Sequence, residues 1–529
     1  MGDVEYLLVG LLVAIIVLST VARWLSIPYP IVLVVGGLIL GFVPGMPKIE
    51  LDPDVVLVLF LPPLLYSAAF FADLRALRSD TRPILVTSIG LVLFTMCAVA
   101  FVVHELIDGM PWAAAFALGA VVSPTDPLAA TQIMRRLDVP RRTVNVIEGE
   151  SLVNDATALV AYKLAIGAAV GETFSLWEAG FRFVAAAAGG IAIGLAAGVV
   201  IAEIRKRIDD PPVEVTVSLV SAYAAYIPAE RAGCSAVLAA VTCGLYLGWK
   251  APVIASPRAR IQALAVWESL IFILNALLFV LVGLQLRNIL DGLSGYSTAT
   301  LIGYAAAVSA VVILARLVFS FTMVYVIRAI DRRPSQRARR VGWRLRLVSA
   351  WSGMRGSVSL AAALAIPLTA AGEPFPQRDL IIFLTFAVIF STLVLQGLTL
   401  PVLIRRLGVR DDGGEETEEL RARLRASKAA LARLDELDAE DWTRSDTVER
   451  MRGLYNYRLR RFGARAGKVE DDGYEDRSVA YQRMVLEVID AQRLEIVRLR
   501  NEGAISSDVM HSIERELDLE ASRLEIEPS

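Results

Sequence analysis

The chain has 529 residues, of which 55% are hydrophobic and 20% are charged, and its mean hydropathy is positive. So apolar a composition excludes an ordinary water-soluble globular protein and indicates a membrane protein surrounded by lipid. The formal net charge of −2 gives no reason to expect a nucleic-acid partner.

Apolar runs recur along the chain at the length that a helix needs to cross a hydrocarbon layer of about 30 Å, and we count about thirteen of them. Because lipid offers the backbone no hydrogen-bond partner, uninterrupted runs of this length predict helices. The predicted fold class is therefore an all-α polytopic membrane protein. The runs centre roughly on Leu12, Val35, Leu61, Leu93, Gly119, Leu159, Ile191, Leu219, Val241, Leu274, Val311, Ala361 and Phe390.

Lys and Arg are concentrated in the connections that follow the odd-numbered runs, for example at 135–142, 205–207 and 328–346. The positive-inside rule predicts that these connections are cytoplasmic. We therefore expect the N-terminus outside and the C-terminus inside the plasma (inner) membrane. Acidic Asp3 and Glu5 stand where a cleaved signal would carry positive charge, so the first helix is expected to be retained.

Two of the apolar runs are interrupted. In "LGAVVSPTDPLAATQI" the break contains Pro124 and Pro127, and in "SAWSGMRGSVSLAAALAIP" it contains Gly353 and Gly356. Proline removes a backbone donor and glycine weakens a helix, so both segments are predicted to unwind near the middle of the membrane. Paired broken helices in corresponding places of two halves indicate the inverted repeats of a secondary transporter, with a binding site where the breaks cross.

The helix that follows the first break carries four polar residues in an apolar setting: Glu150, Ser151, Asn154 and Asp155. Their i, i+4 spacing puts them on two adjacent stripes of one face. Because a charge at the centre of a bilayer costs at least about 2.5 to 3.5 kcal/mol, we expect this face to point into the bundle and to be functional.

Together with the first break, this helix offers a predicted cation site. Asp126, Asp155, the Thr125 carbonyl and the Ser151 hydroxyl are hard oxygen donors for a Na⁺ ion, with the Asn154 amide nearby. A buried carboxylate beside a second carboxylate binds a proton more readily. We therefore expect the cation and protons to compete for one site, as substrates, and we expect no resident cofactor.

Two arginines in the second half of the chain also lie within apolar runs. Arg316, in "VVILARLVFSF", is the predicted counter-charge for Glu150, in a pair with a mainly structural role. Arg355, in the second break, is expected to face the free carbonyl end of the other broken helix.

The composition changes near Val409, where two glycines are followed by dense alternating charge with Leu and Ala at helical spacing. This change predicts a transmembrane domain over 1–408 and a helical, cytoplasmic C-terminal region over 409–529. Dimerisation, regulation and simple solvation all remain open as the role of that region.

Several motifs occur in order along the chain: "SPTDP", "EGESLVNDATALV", "ESLIFILNALLFVLVGL", "GMRGSVSLAAALAIP" and "LVLQGLTLP". In combination they resemble the sodium/proton antiporters of the electroneutral monovalent cation:proton antiporter family, which includes the animal exchangers. The resemblance spans roughly residues 4–407. It implies pH homeostasis by cation/proton antiport, and a homodimer of thirteen-helix protomers in which a core domain moves past a dimerisation domain.

The resemblance also implies roles for individual residues. Asp155 is similar to the essential ion-binding and proton-carrying aspartate, and Asn154 stands in the place that marks electroneutral members. The rest of the ion site is implied for Thr125, Asp126, Glu150 and Ser151.

Two arginines match the same family, and one serine departs from it. Arg316 matches the arginine that pairs with the glutamate, and Arg355 matches the arginine at the second crossover. Ser67, in "FLPPLLYSAAF", departs from the family because many relatives carry an acidic residue there. The role of that position is therefore open.

Two other classes of protein share part of this pattern. An intramembrane aspartyl protease also uses two aspartates on adjacent helices, but such proteases share a Gly-x-Gly-Asp stretch that this sequence lacks. A cation channel needs neither a two-carboxylate site nor paired breaks. The sequence thus favours a secondary transporter. Oxygen donors alone do not separate Na⁺ from K⁺ or Li⁺, so Na⁺ is favoured by the resemblance, and the physiological direction and pH set point stay open.

Overall fold

A computed structural model describes residues 2–25, 27–43, 53–169, 176–330, 341–370, 373–411, 413–467 and 473–525. The chain separates into two compact units, Met1–Asp411 and Asp412–Ser529. The first holds the apolar helices and the second holds charged ones. The assignment of a transport role to 1–408 and of a cytoplasmic role to 409–529 stays a prediction.

The first unit is built almost entirely from helices. Its first half contains α1 (Gly2–Trp24), α2 (Tyr29–Gly41), α3 (Pro53–Phe70), α4 (Leu74–Ser79), α5 (Thr81–Leu106), α6 (Trp112–Val122), α7 (Leu128–Arg136) and α8 (Arg141–Ala169). Its second half contains α9 (Leu176–Arg205), α10 (Pro211–Arg231), α11 (Ala236–Ile254), α12 (Pro257–Gly292), α13 (Thr298–Ile330), α14 (Trp343–Trp351), α15 (Ser357–Leu364) and α16 (Arg378–Leu407). The strands β1 (Thr369–Ala370) and β2 (Glu373–Pro374) form one small antiparallel pair.

The number and character of these helices confirm the predicted fold class. Within the described residues, seven helices are long and apolar enough to cross a membrane, and four more apolar helices are shorter. If α6 with α7 and α14 with α15 are each taken as one broken segment, the described helices of the first unit, other than the short α4, form thirteen segments. Their apolar surfaces and lengths suit a polytopic bundle.

The helices of the first unit pack as two groups. In one, the site bundle, α8 contacts α5, α6 and α7, while α13 contacts α5, α14 and α16. In the other, the flanking bundle, α11 contacts α3, α9 and α10, while α12 contacts α2 and α10. Both broken segments belong to the site bundle, and each lies in sequence between two long helices, as two structural repeats require.

The breaks occur where the sequence predicts them. Residues 123–127 separate α6 from α7, and residues 352–356 separate α14 from α15. The two unwound stretches touch, because the Asp126 backbone N–H donates to the Met354 carbonyl at 2.8 Å. A side chain at Gly356 would overlap the Asp126 carboxylate, so the second break can approach this closely only through glycine.

The described residues of the second unit are mostly helical, as its sequence spacing predicts, and form α17 (Gly414–Leu437), α18 (Ser445–Arg465), α19 (Tyr474–Asn501) and α20 (Ser507–Glu525). α17 and α18 pair through a small apolar cluster that contains Leu420, Leu424 and Phe462. α19 and α20 pair through a second cluster that contains Ile489 and Leu517. Charged residues cover most of the remaining surface.

Candidate functional site

Asp126 lies at the point where the two broken segments cross. Its carboxylate accepts a hydrogen bond from the N–H of Leu128, the first residue of α7, at 2.9 Å. It accepts another from the N–H of Ser357, the first residue of α15, at 3.3 Å. Because the N-terminal end of a helix carries partial positive charge, two half-helices stabilise this one carboxylate. Asp126 thereby ties the two breaks together.

Thr125 is held beside Asp126 by two residues of α8. The Ser151 hydroxyl donates to the Thr125 carbonyl oxygen at 2.5 Å, and the Asn154 amide nitrogen donates to the Thr125 hydroxyl at 2.9 Å. All three residues are buried. Among the described residues, no partner reaches the Asn154 Oδ1 atom. The i, i+3 spacing on α8 thus brings both side chains onto the first break, as the helical face predicted.

Asp155 completes this cluster from α8. The residue is 9% exposed and lies one helical turn after Ser151, whose hydroxyl contacts Thr125 next to Asp126. Across the part of the chain that the structure describes, the Asp155 carboxylate has neither a hydrogen-bond donor nor a basic side chain as its partner. Two acidic groups that share a buried site repel one another when both are ionised. Such a pair is suited to hold either a cation or a proton.

Glu150 points to a different partner. Its Oε1 atom lies 2.6 Å from Nη1 of Arg316 on α13, and both side chains are buried. Arg316 also donates to the Ser349 carbonyl on α14 at 3.3 Å, while the Ser88 hydroxyl on α5 donates to the Glu150 carbonyl at 2.9 Å. The pair therefore links four helices of the site bundle. This geometry gives Glu150 and Arg316 a role in holding the helices around the site.

Arg355 is fully buried in the second break and faces the C-terminal end of α6. Its Nε atom donates to the Val122 carbonyl at 2.9 Å, and its Nη2 atom donates to the Ser123 carbonyl at 3.4 Å. Its Nη1 atom donates to the Gly353 carbonyl. Carbonyls at a helix end carry partial negative charge, so the guanidinium satisfies them where the helix stops. At the crossing, the anionic Asp126 thus lies at the N-terminal ends of two half-helices, and the cationic Arg355 lies at the C-terminal end of α6.

The sequence did not predict two residues that support the crossing. Thr392 accepts a hydrogen bond from the Arg355 backbone N–H at 3.1 Å, and Ser88 contacts Glu150 as described above. Both lie in π-helical stretches, Val86–Leu91 in α5 and Thr392–Gln396 in α16. Such stretches are frequent at functional sites because they shift the helix register locally. Neither contains a proline, and their one glycine, Gly90, stands alone, whereas paired prolines or glycines revealed the two breaks.

Ser67 lies within α3 and makes a local contact there. The side chain is buried in α3, and its hydroxyl donates to the Leu64 carbonyl one turn earlier at 2.9 Å. This local hydrogen bond satisfies the hydroxyl within its own helix. Ser67 therefore has a structural contact of its own.

Comparison with known proteins agrees with this architecture. The family model of the transmembrane sodium/hydrogen exchanger matches residues 10–406. An uncharacterised Na⁺/H⁺ exchanger of Mycobacterium tuberculosis is 35% identical over 524 residues, which cover 98% of this chain and 95% of that protein. A Na⁺/H⁺ antiporter of Aphanothece halophytica is 33% identical, and the match covers 78% of this chain and 76% of that protein.

Two further similarities concern the transported ions and the fold. A sodium, potassium, lithium and rubidium/H⁺ antiporter of Bacillus pumilus is 32% identical, with 78% of this chain and 63% of that protein covered. The solved structure of a sodium proton antiporter from Methanocaldococcus jannaschii superposes with a TM-score of 0.60 at 20% identity, covering 77% of this chain and 99% of that one. The structural likeness supports the polytopic helical fold.

The protease alternative is excluded by these matches, which extend over both broken segments and the helices between them. The family model matches residues 10–406, and one relative is 35% identical over 98% of the chain. The protein therefore belongs to the sodium/hydrogen exchanger family, whose members are secondary transporters and not enzymes.

Proposed function

We propose that the protein exchanges one Na⁺ for one H⁺ in each transport cycle, at a site formed by Asp126, Asp155, the Ser151 hydroxyl and the Thr125 carbonyl. The observation that carries this proposal is the Asp155 carboxylate, which lies beside Asp126 without a basic partner among the described residues. A carboxylate so placed is stable only with a cation or a proton bound.

Competition between the two substrates follows from this arrangement. When Na⁺ is bound, its charge offsets the repulsion between Asp155 and Asp126. When Na⁺ leaves, a proton on Asp155 removes the same repulsion, so the site has the same net charge in either form. Asn154 carries no charge at any pH, and a single titrating aspartate on α8 supports a one-for-one exchange without net charge movement.

The choice of Na⁺ rests on the names of relatives. Relatives from several bacteria are named as Na⁺/H⁺ exchangers, whereas the Bacillus pumilus relative is named for sodium, potassium, lithium and rubidium. Oxygen donors of the kind found at this site accept any of these ions. K⁺/H⁺ exchange is therefore the second candidate function, and it is tested in the same assay.

We further propose that the protein lies in the plasma membrane as a homodimer, with its N-terminus outside. The concentration of Arg and Lys in alternate connections supports the orientation. The dimer is supported by the resemblance to the family. An accessible tag at each terminus, probed in sealed cells with an impermeant reagent, tests the orientation, and cross-linking in the membrane tests the dimer.

The decisive experiment uses purified protein in vesicles with an imposed pH gradient and an internal pH indicator. Adding Na⁺, Li⁺ or K⁺ outside should move protons only for ions that the site accepts, and Na⁺ should act at the lowest concentration. Lowering the pH on the side of the cation should raise its half-saturating concentration by up to about tenfold per pH unit, because protons occupy the same site. A half-saturating concentration independent of pH would contradict a shared site.

A further inference from the structure

A cavity of about 540 Å³ lies beside the C-terminal half of α8. α8 lines it with Leu159, Tyr162 and Lys163, and helices of the flanking bundle form its other walls. Leu159 lies one helical turn from Asp155 on the same face of α8, a separation of about 6 Å along the axis. The cavity thus begins about one helical turn from the predicted ion-binding aspartate, which does not itself line it.

One ion pair spans the wall of this cavity. Nζ of Lys163 lies 2.6 Å from Oε1 and 2.9 Å from Oε2 of Glu230, which belongs to the last turn of α10. Both residues line the cavity. Lys163 belongs to the site bundle and Glu230 to the flanking bundle, so this contact joins the two groups of helices at the cavity.

The exposure of this pair distinguishes it from Glu150 and Arg316. The side chains of Lys163 and Glu230 are 53% and 44% exposed, whereas those of Arg316 and Glu150 are almost completely buried. Breaking a buried pair strands a charge away from water, but a half-exposed pair can separate and be solvated at little cost. Only the half-exposed pair is suited to form and break in every transport cycle.

We infer that the cavity is the passage by which ions reach Asp155, and that Lys163 and Glu230 form a latch which stabilises the arrangement in which this passage is open. The inference rests on the proposed function, because it assigns a route and two positioning residues to the same site. Loss of either charge should shift the protein away from the open arrangement, by about two- to fivefold in population, as expected for an exposed pair. A bulky group inside the cavity should block exchange.

The chain supplies its own probe for this test. Cys234 lines the same cavity, is half-buried, and carries a free thiol. With Cys97 and Cys243 replaced by serine, a charged, membrane-impermeant methanethiosulfonate reagent reports access to the cavity through its rate of reaction with Cys234. We expect labelling to slow exchange strongly in vesicles. With Cys234→Ser in addition, the reagent should have no effect on the exchange rate.

The latch is tested by the same reaction on variants of the ion pair. Lys163→Gln and Glu230→Gln should each slow the labelling of Cys234 about two- to fivefold, and the double variant Lys163→Glu, Glu230→Lys should restore it. Lys206→Gln is the matched control. Lys206, the residue directly after α9, pairs with Glu203 in the last turn of that helix, with similar exposure. Its loss therefore breaks no contact between the two groups of helices and should leave the labelling rate unchanged.

Two results would overturn the inference. If labelled Cys234 leaves exchange unaffected, the cavity is not the passage. If the single variants label as fast as the parent, or the charge-reversed pair labels no faster than the single variants, the pair is not a latch. Absence of cation-driven proton movement in unlabelled protein would instead refute the proposed function, and the labelling rates would still decide whether the pair controls the cavity.

Discussion

The Asp126 carboxylate accepts a hydrogen bond from the Ser357 N–H across a sequence separation of 231 residues. Through this contact the first break and the second break share one anionic group, and the starts of α7 and α15 both point at it. Any movement of one broken helix relative to the other must therefore alter the surroundings of Asp126. The proposed ion site and the crossing of the helices are therefore parts of one structure.

We expect Asp155→Asn to abolish exchange while the protein still inserts and folds. The amide keeps the size of the side chain but can neither carry the proton nor balance the cation. Asp126→Asn should also abolish exchange, and it should reduce thermal stability because a neutral group interacts less strongly with two helix N-termini. The exchange rate in vesicles should fall at least about 100-fold, which corresponds to about 2.7 kcal/mol. Near-normal turnover in Asp155→Asn would contradict the proposed site.

The pair of Glu150 and Arg316 should behave as one buried unit. Glu150→Ala and Arg316→Ala should each lower the free energy of unfolding by about 3 to 5 kcal/mol, because each leaves a buried charge without its partner. The double variant Glu150→Gln, Arg316→Gln should be more stable than the single Gln variants. Thermal unfolding of purified protein in detergent measures this, and strictly additive losses would show that the two residues act independently.

Gly356→Ala should disable the crossing. The added methyl group would overlap the Asp126 carboxylate, so either the carboxylate or the second break must move. We expect a large loss of exchange and a lower midpoint of thermal unfolding. Gly303→Ala in α13 is the control, since a methyl group there meets open space and should leave both measurements unchanged. Equal behaviour of the two variants would argue against close contact at the crossing.

Exchange should not respond to membrane voltage if one Na⁺ leaves for each proton that enters. Rates measured in vesicles with and without an imposed membrane potential should agree. A shift of the rate or of the equilibrium position would refute the one-for-one stoichiometry. The variant Asn154→Asp tests the same stoichiometry by adding a carboxylate. A second carboxylate on α8 can bind a second proton, but it also adds charge repulsion beside Asp155.

Ending the chain after Gly414 should leave a folded exchanger whose pH dependence is displaced. Gly413 has a positive φ angle of 71° directly before the start of α17, and a joint at glycine transmits little strain. The charged helices α17 to α20 should therefore modulate exchange through their local potential or through a bound partner. Exchange rate against pH, for full-length and shortened protein at equal amounts, is the measurement. Identical curves for the two proteins would show that α17 to α20 have no role in exchange. A shortened protein that is folded but inactive would show that these helices are essential for exchange.

Much of the architecture follows from the sequence by itself. Hydropathy predicted the thirteen segments, and Pro124, Pro127, Gly353 and Gly356 predicted the two breaks, because chain length across lipid and the loss of backbone donors act locally. The helical repeat likewise placed the polar residues of α8 on one face. These properties depend on neighbours within one or two turns and need no knowledge of the packing.

The tertiary structure decided which of these groups meet. It pairs Glu150 with Arg316 over 166 positions and brings Arg355 onto the Val122 carbonyl. It also recruits Ser88 and Thr392 from π-helical stretches that lack the paired prolines or glycines of the two breaks. It also places the half-exposed ion pair of α8 and α10 at a cavity. Such contacts depend on how helices far apart in sequence pack against one another, because a side chain's partner is set by the distance and angle between whole helices and not by the residues beside it in the chain.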